Sequence, residues 1–577
     1  MRKISYSVKT AFLLLVAIVF APCCALAGPA NPCSRPAQGS VITDPPDLYS
    51  QNGVLKVTFN YYTSVDQWDR TLFCYVTPDG VESPTLHLNP GDTLDLTLTN
   101  MESGGPPPSF EQVAGKSNVC GAFYMTPQSV NLHFHGLNVS PKCHGDEVIH
   151  TLVNPGESFH YNIRIPKNEP PGMYWYHAHV HGISSPAVQG GASGAIEIEG
   201  IANLQPAVSG LPQRFLVVRD QPLQNPPQNP RLNPTAPFWD LSMNYVPISY
   251  PQYTPGVIQM QAGAQEFWRV VNASADTVLQ LQLLYDGQAQ PVQIAAFDGV
   301  PTGSQDGKHQ GTLITETTVL IPPAGRAEFI VTGPSASVKH AVFMADHPDT
   351  GPAGDLDTRR PLATIQLTKD IKKTPKRIMP VAGDISGDRF AHVDDKDVSA
   401  HRSIYFAEAI GTGQKIRGPG AGGIFYVTVK GQPKVPYYPD EPPTITTTQD
   451  AVEDWKISNT TKEVHEFHMH QIHFQLIAIN GVPIPKDQRQ WYDTYQVGYW
   501  TGKGPKPSIT VRMDFRGAVA GEFVYHCHIL DHEDAGMMAN ILVLPRGGNV
   551  KHARVDEHPA AGAKLIKLGS RSTPSHA

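Results

Sequence analysis

GDTLDLTLTN (91–100), GAQEFWRVVN (263–272) and DAVEDWKISN (450–459) are three versions of one short phrase. Each sets a turn residue nine positions ahead of an Asn, with apolar residues alternating between, the pattern of a half-buried strand running into a turn. Successive copies lie about 170 to 190 residues apart, too far for a solenoid unit and suited to duplicated domains. A second phrase follows in PGESFHYNI (155–163) and PPAGRAEFIV (322–331), each a turn leading into an alternating strand. The chain has 53 Pro and 50 Gly among 577 residues, so short strands broken by turn residues point to an all-β fold built of sandwiches.

The chain is 62.9 kDa and 40% hydrophobic, which supplies several packed cores and excludes a peptide hormone, a lone binding module or a disordered regulator. The boundaries expected from composition are an extension at 28–49, domains at 50–205, 206–375 and 376–547, and a polar tail at 548–577. Ahead of them, Arg2, Lys3 and Lys9 precede the apolar run 11–20, and Ala25-Leu26-Ala27 precedes Gly28, which reads as a signal peptide at 1–27. An exported protein, periplasmic or extracellular, is expected. The run is short for a membrane span and no second stretch approaches about 18 apolar residues, so no span is expected.

Loss of the leader's three basic residues takes the formal net charge from −7 to −10, which gives no support to nucleic-acid binding. Cys23 and Cys24 leave with the leader. Cys33, Cys74, Cys120 and Cys143 form an even set suited to two disulfides in an oxidising compartment, with the pairing open. Cys527 is left over. Sequons stand at Asn138, Asn272 and Asn459 and would matter only in a eukaryotic host.

Four His-x-His elements carry the chemistry: His133/His135, His177/His179, His468/His470 and His526/His528. On a strand, i and i+2 share a face about 6.6 Å apart, wide for one ion and suited to neighbouring ions. All four pairs lie in the first and last thirds of the chain. A zinc site needs at most four such ligands, so eight histidines exceed it. In HCHILDHEDAGMM (526–538), Cys527 faces away from its two histidine neighbours, and His532 and Met537 follow; one thiolate, two imidazoles and a weak thioether make a blue-copper set, with His465 as the second imidazole.

With these motifs in view, the chain closely resembles the multicopper oxidases, laccases among them, over about 50–547. HFHG, WYHAHVHG, HEFHMH and HCHILDHEDAGM match the four family motifs. The resemblance implies three cupredoxin-like Greek-key β-sandwich domains and four copper ions. Type 1 copper would take His465, Cys527, His532 and axial Met537. Type 2 would take His133 and His468, and the type 3 pair His135, His177, His179, His470, His526 and His528. Glu466 and Gln471 stand where the family often has Pro and Gly, which puts local rigidity and access in question.

The activity implied is oxidation of a small reducing donor coupled to reduction of dioxygen to water. That reduction consumes four protons, and Glu533 and Asp146 match acidic positions that serve it in related bacterial enzymes. A Met axial ligand favours easily oxidised donors, phenols or catechols. With only 12 Met and no Met-rich run, a cuprous-ion oxidase is the alternative, and a copper nitrite reductase would leave the type 3 histidines without a use.

Overall fold

The computed structural model describes residues 31–103, 120, 124–224, 236–303, 311–369, 376–379, 381, 393–409, 423–517 and 519–548. The expected leader and nearly all of the polar tail lie outside them. Strands dominate, with only short helical turns between them, in the all-β architecture that the punctuation by Pro and Gly dictates.

The six sheets fall into three sandwiches, each cupredoxin-like, with its own apolar core. The first sets a five-stranded sheet against a four-stranded one; the middle pairs an eight-stranded with a six-stranded sheet, and the last a seven-stranded with a five-stranded sheet. The repeated phrase occupies the same place in all three. Strands Thr93–Asn100, Gln265–Asn272 and Val452–Asn459 each pair in parallel with the strand that opens their sheet, Val54–Val65, Gln213–Pro222 and Val398–Ala409. Each pairs antiparallel on its other side with Ser158–Arg164, Arg326–Thr332 and Ser508–Asp514. The second phrase therefore supplies the partner of the first.

The terminal Asn of each copy has one job. Asn100, Asn272 and Asn459 are fully buried. Each side-chain oxygen accepts the N–H two residues on, from Glu102, Ser274 and Thr461, at 3.1, 3.2 and 2.8 Å, closing an Asx turn. Each amide donates to two carbonyls of other segments, Asn272 to Thr277 and Ile321 at 2.8 and 2.9 Å. A buried backbone turn must find hydrogen bonds, and Asn supplies three at once. Asn138 is 1% exposed as well, so no sequon asparagine is presented at the folded surface.

The cysteines pair as Cys33–Cys74 and Cys120–Cys143, and Cys527 is free and buried. Among the described residues no helix is long and apolar enough to cross a membrane.

Candidate metal centre

The four His-x-His elements converge. Strand His133–His135 forms an edge of the first sandwich and pairs with Gly172–His177, setting His133 opposite His177. In the last sandwich, His465–Met469 pairs with Gly521–Cys527, setting His468 opposite His526. The two strands' histidines meet face to face: His133 stacks on His470 with ring centroids 3.9 Å apart, and His135 stacks on His468 at 4.0 Å. His179 and His470 point their Nε2 atoms at His526 Nε2 from 3.3 and 3.1 Å. All eight rings are at most 1% exposed.

Burial holds these imidazoles neutral by pushing their pKa values down, that of His179 to about 4. A neutral imidazole keeps one lone pair, and several of these lone pairs are pre-aimed. His133 spends Nδ1 on Asp146 at 2.9 Å and His177 spends Nδ1 on the Ala178 carbonyl at 2.9 Å; both leave Nε2 with no partner. Unpaired buried nitrogens cost free energy unless something binds them, and histidines oriented through the far nitrogen are what metal ligation requires. Donor atoms of His133/His135/His177, His133/His468/His470 and His179/His470/His526 each lie within 4.8 Å of one another. The donor set therefore fits copper ions.

A second donor group sits one residue away. Cys527 Sγ is 3.6 Å from His465 Nδ1 and 3.8 Å from His532 Nδ1, and the two nitrogens are 3.2 Å apart. Burial pushes the Cys527 thiol well up and His532 down to about 3, so a bound cation is needed to favour thiolate. The Glu466 N–H points at the sulfur from 3.4 Å. Met537 is buried in the same core, and its carbonyl accepts the Cys527 N–H at 3.1 Å. One soft thiolate and two imidazoles are the donors copper prefers.

The expected acids both lie at the centre. Asp146, 1% exposed, accepts from His133, from the Phe134 N–H at 2.9 Å and from Gln471 Nε2 at 2.8 Å, and burial raises it to about 7. Glu533 is fully buried and raised by burial, with Oε1 3.9 Å from His181 Nδ1. Its oxygens have no described partner in hydrogen-bond geometry, leaving room for a proton to be held.

Two multicopper oxidase family profiles match residues 101–202 and 424–547, the segments that carry these histidines. The chain belongs to the multicopper oxidases. A curated multicopper oxidase from Staphylococcus haemolyticus is 22% identical over 473 residues, covering 80% of this chain and 81% of that one. Among solved structures, a multicopper oxidase described as a metallo-oxidase from Campylobacter jejuni superimposes with a TM-score of 0.62 at 21% identity, covering 89% of this chain and 97% of that one. A laccase-like oxidase from the lignin-degrading bacterium Ochrobactrum sp., with activity towards lignin model compounds, gives 0.60 at 19%, covering 87% and 100%.

This multicopper oxidase also shows what its motifs did not. Gln471 takes the left-handed conformation (φ 65°) that favours glycine. Its side-chain amide donates a hydrogen bond to the Asp146 carboxylate and its carbonyl accepts from Asn138 Nδ2, so the residue ties the last sandwich to the first. Glu466 is buried, raised to about 8 by burial, and takes a hydrogen bond from Gln496 at 3.0 Å. Asp493, in a WYDT stretch free of histidine, bonds His135 Nε2 at 3.0 Å through Oδ1 and accepts from His468 Nδ1 at 2.8 Å through its carbonyl. Phe425 stacks on His532 at 4.2 Å, and Glu463 Oε1 lies 3.5 Å from His532 Nε2 with Glu408 beside it.

Proposed function

We propose that the chain couples one-electron oxidation of a small reducing donor, beside His532, to four-electron reduction of dioxygen to water. His465, Cys527, His532 and Met537 would hold type 1 copper, His133 and His468 type 2, and His135, His177, His179, His470, His526 and His528 the type 3 pair. Copper, once bound, would supply the one-electron redox chemistry and the place where dioxygen is reduced. The observation that carries this reading is the set of eight buried imidazoles, several with an unpaired nitrogen, directly bonded in sequence through His526-Cys527-His528 to the thiolate group. The polypeptide itself joins the place of oxidation to the place of reduction.

His532, 8% exposed, is the ligand candidate nearest solvent, and the donor would meet its edge. Asp146 would orient His133, and Glu533 would hold a proton beside His179, whose ring its charge influences. The Phe425 ring against His532 suits a phenol or catechol. A second reading, a low-valent metal cation as donor, is favoured by the carboxyl groups of Glu463 and Glu408 at the same edge and by the metallo-oxidase likeness. Two disulfides accord with work in an oxidising compartment, periplasmic or extracellular.

The test is oxygen uptake by copper-loaded protein with a phenol panel and, separately, with cuprous and ferrous ions. Phenols should drive uptake, and Cys527→Ser should abolish both uptake and blue colour. Uptake driven by metal ions alone would favour the second reading; a colourless, copper-poor parent protein would end both.

A further inference from the structure

The middle sandwich supplies none of the expected ligands, yet one of its side chains reaches the histidines. Arg326, on strand Arg326–Thr332, is 1% exposed. Its guanidinium grips Asp493 with both ends, Nη1 to Oδ1 at 2.8 Å and Nη2 to Oδ2 at 2.5 Å. Two further bonds fix the fork, Nε donating to the Met173 carbonyl and Nη1 to the Ala324 carbonyl, each at 3.2 Å, and the main-chain N–H of Arg326 donates to Asp298 at 2.8 Å. Asp298 in turn accepts from the Asp493 and Thr494 N–H groups at 3.1 and 3.3 Å. A planar fork on a carboxylate fixes position and plane together, which a point charge does not.

Asp493 passes that order to two expected ligands in opposite senses. Its Oδ1 can only accept, so His135 donates from Nε2 and turns its bare Nδ1, which has no partner, toward the cluster. Its main-chain carbonyl also only accepts, so His468 donates from Nδ1 and turns out a bare Nε2. The two rings lie stacked, 15° from parallel, yet offer different nitrogens. Thr494 Oγ1 braces the arrangement, 3.1 Å from His468 Nδ1 and donating to Asp493 Oδ1 at 3.0 Å. The backbone directly after His135 is pressed against the ion pair: a Cβ at Gly136, φ 87°, would meet Arg326 Nη2 and Asp493 Oδ2 at 2.6 Å. Glycine is required there by conformation and by space.

We propose that Arg326 is a positioning residue of the copper cluster, acting through Asp493 to fix which ring nitrogen His135 and His468 present. This inference rests on the multicopper oxidase assignment. It gives the ligand-free middle sandwich a hold, through Asp493, on the cluster between the other two.

The test uses copper-loaded full-length protein with Arg326→Met, Arg326→Lys and Asp493→Asn. Copper content, blue absorption, the paramagnetic resonance signature of type 2 copper, and reoxidation of the reduced protein by dioxygen are read for each. Arg326→Met and Asp493→Asn should keep the blue absorption and the rate at which a donor bleaches it. Both should change the type 2 signature and slow reoxidation by about tenfold or more, the usual consequence of losing a partner that orients a ligand. Arg326→Lys should recover part of both effects. If Arg326→Met does not fold, the near-isosteric Asp493→Asn decides. An unchanged type 2 signature and reoxidation rate would overturn the proposal, as would joint loss of blue and type 2 signals in both variants, which would make the pair a general fold contact. A parent protein without blue absorption would instead overturn the oxidase assignment beneath it.

Discussion

His87 should make the fold lose stability in alkali. It sits in strand Thr85–Leu88, 1% exposed, between Asp47 at 3.0 Å from Nε2 and Glu197 and Glu199, each 3.0 Å from Nδ1. Tyr49 stacks on the ring at 4.3 Å, Lys376 lies 3.7 Å from Glu199, and Arg269 of the middle sandwich bonds Glu197 at 2.8 Å. Burial alone would lower the His87 pKa, but hydrogen bonds to the three carboxylates outweigh it and raise the value from 6.5 to about 10. A group raised in the folded state stabilises in full below its unfolded pKa and loses that contribution as pH climbs through the folded value, here from about 6.5 to about 10. At about 1.4 kcal/mol per unit the gap corresponds to roughly 5 kcal/mol. The Asp47 and Glu199 side chains are 33% and 20% exposed, so water screening leaves about 2 to 3 kcal/mol.

The assay is urea unfolding of copper-free protein at pH 6 and pH 10.5, with hydrogen exchange of the 85–88 amides as a local readout, for the parent and His87→Gln. The gap between the two proteins should shrink by about 2 to 3 kcal/mol between the two pH values. A gap that stays constant would mean His87 is neutral throughout, and the ion-pair reasoning would fail.

Glu533→Gln, which cannot carry a proton to or from the cluster, should slow dioxygen reduction at least about tenfold while a donor still bleaches the blue absorption at the parent rate; stopped-flow reoxidation separates the two. Glu463→Gln should raise the KM for ferrous or cuprous ion and leave that for a neutral phenol near its parent value, and equal shifts for both would remove the acid pair from donor selection. Asn272→Ala strips two buried carbonyls of their donor and should cost about 3 kcal/mol in unfolding free energy, with the first and last sandwiches' cores unchanged by hydrogen exchange.

The fold and the metal centre were legible to different depths. Alternation marked Thr93–Asn100 because one face of that strand meets the core and the other stays half-exposed. Gln265–Asn272 is buried on both faces beyond its first residue, Trp268 and Val270 in the middle core and Val271 against Met173 and Trp175 of the first sandwich, so the half-buried strand expected from its alternation is fully buried instead. The His-x-His spacing announced paired ligands, although only His133/His135 lies wholly within a strand; in the other three pairs the second histidine falls just past the strand's end. Asp493 and Arg326 carried no such mark. Asp493 stands at the bend between the short strands Trp491–Tyr492 and Thr494–Val497, and Arg326 opens a strand that also carries Glu328; their meaning exists only after sandwiches distant in sequence have packed together. The same holds for Gln471, where an expected glycine position is met by a side chain that bonds to the first sandwich.

The buried asparagines at 138, 272 and 459 also decide how the protein is best made. In a yeast or insect secretory pathway, oligosaccharide transfer acts on the nascent chain before it folds, and a sugar tree on Asn272 or Asn459 could not be taken into the turn that each residue closes. Such a host would yield stalled, glycan-bearing chains, whereas a bacterial cell lacking that machinery leaves all three free to enter the interior.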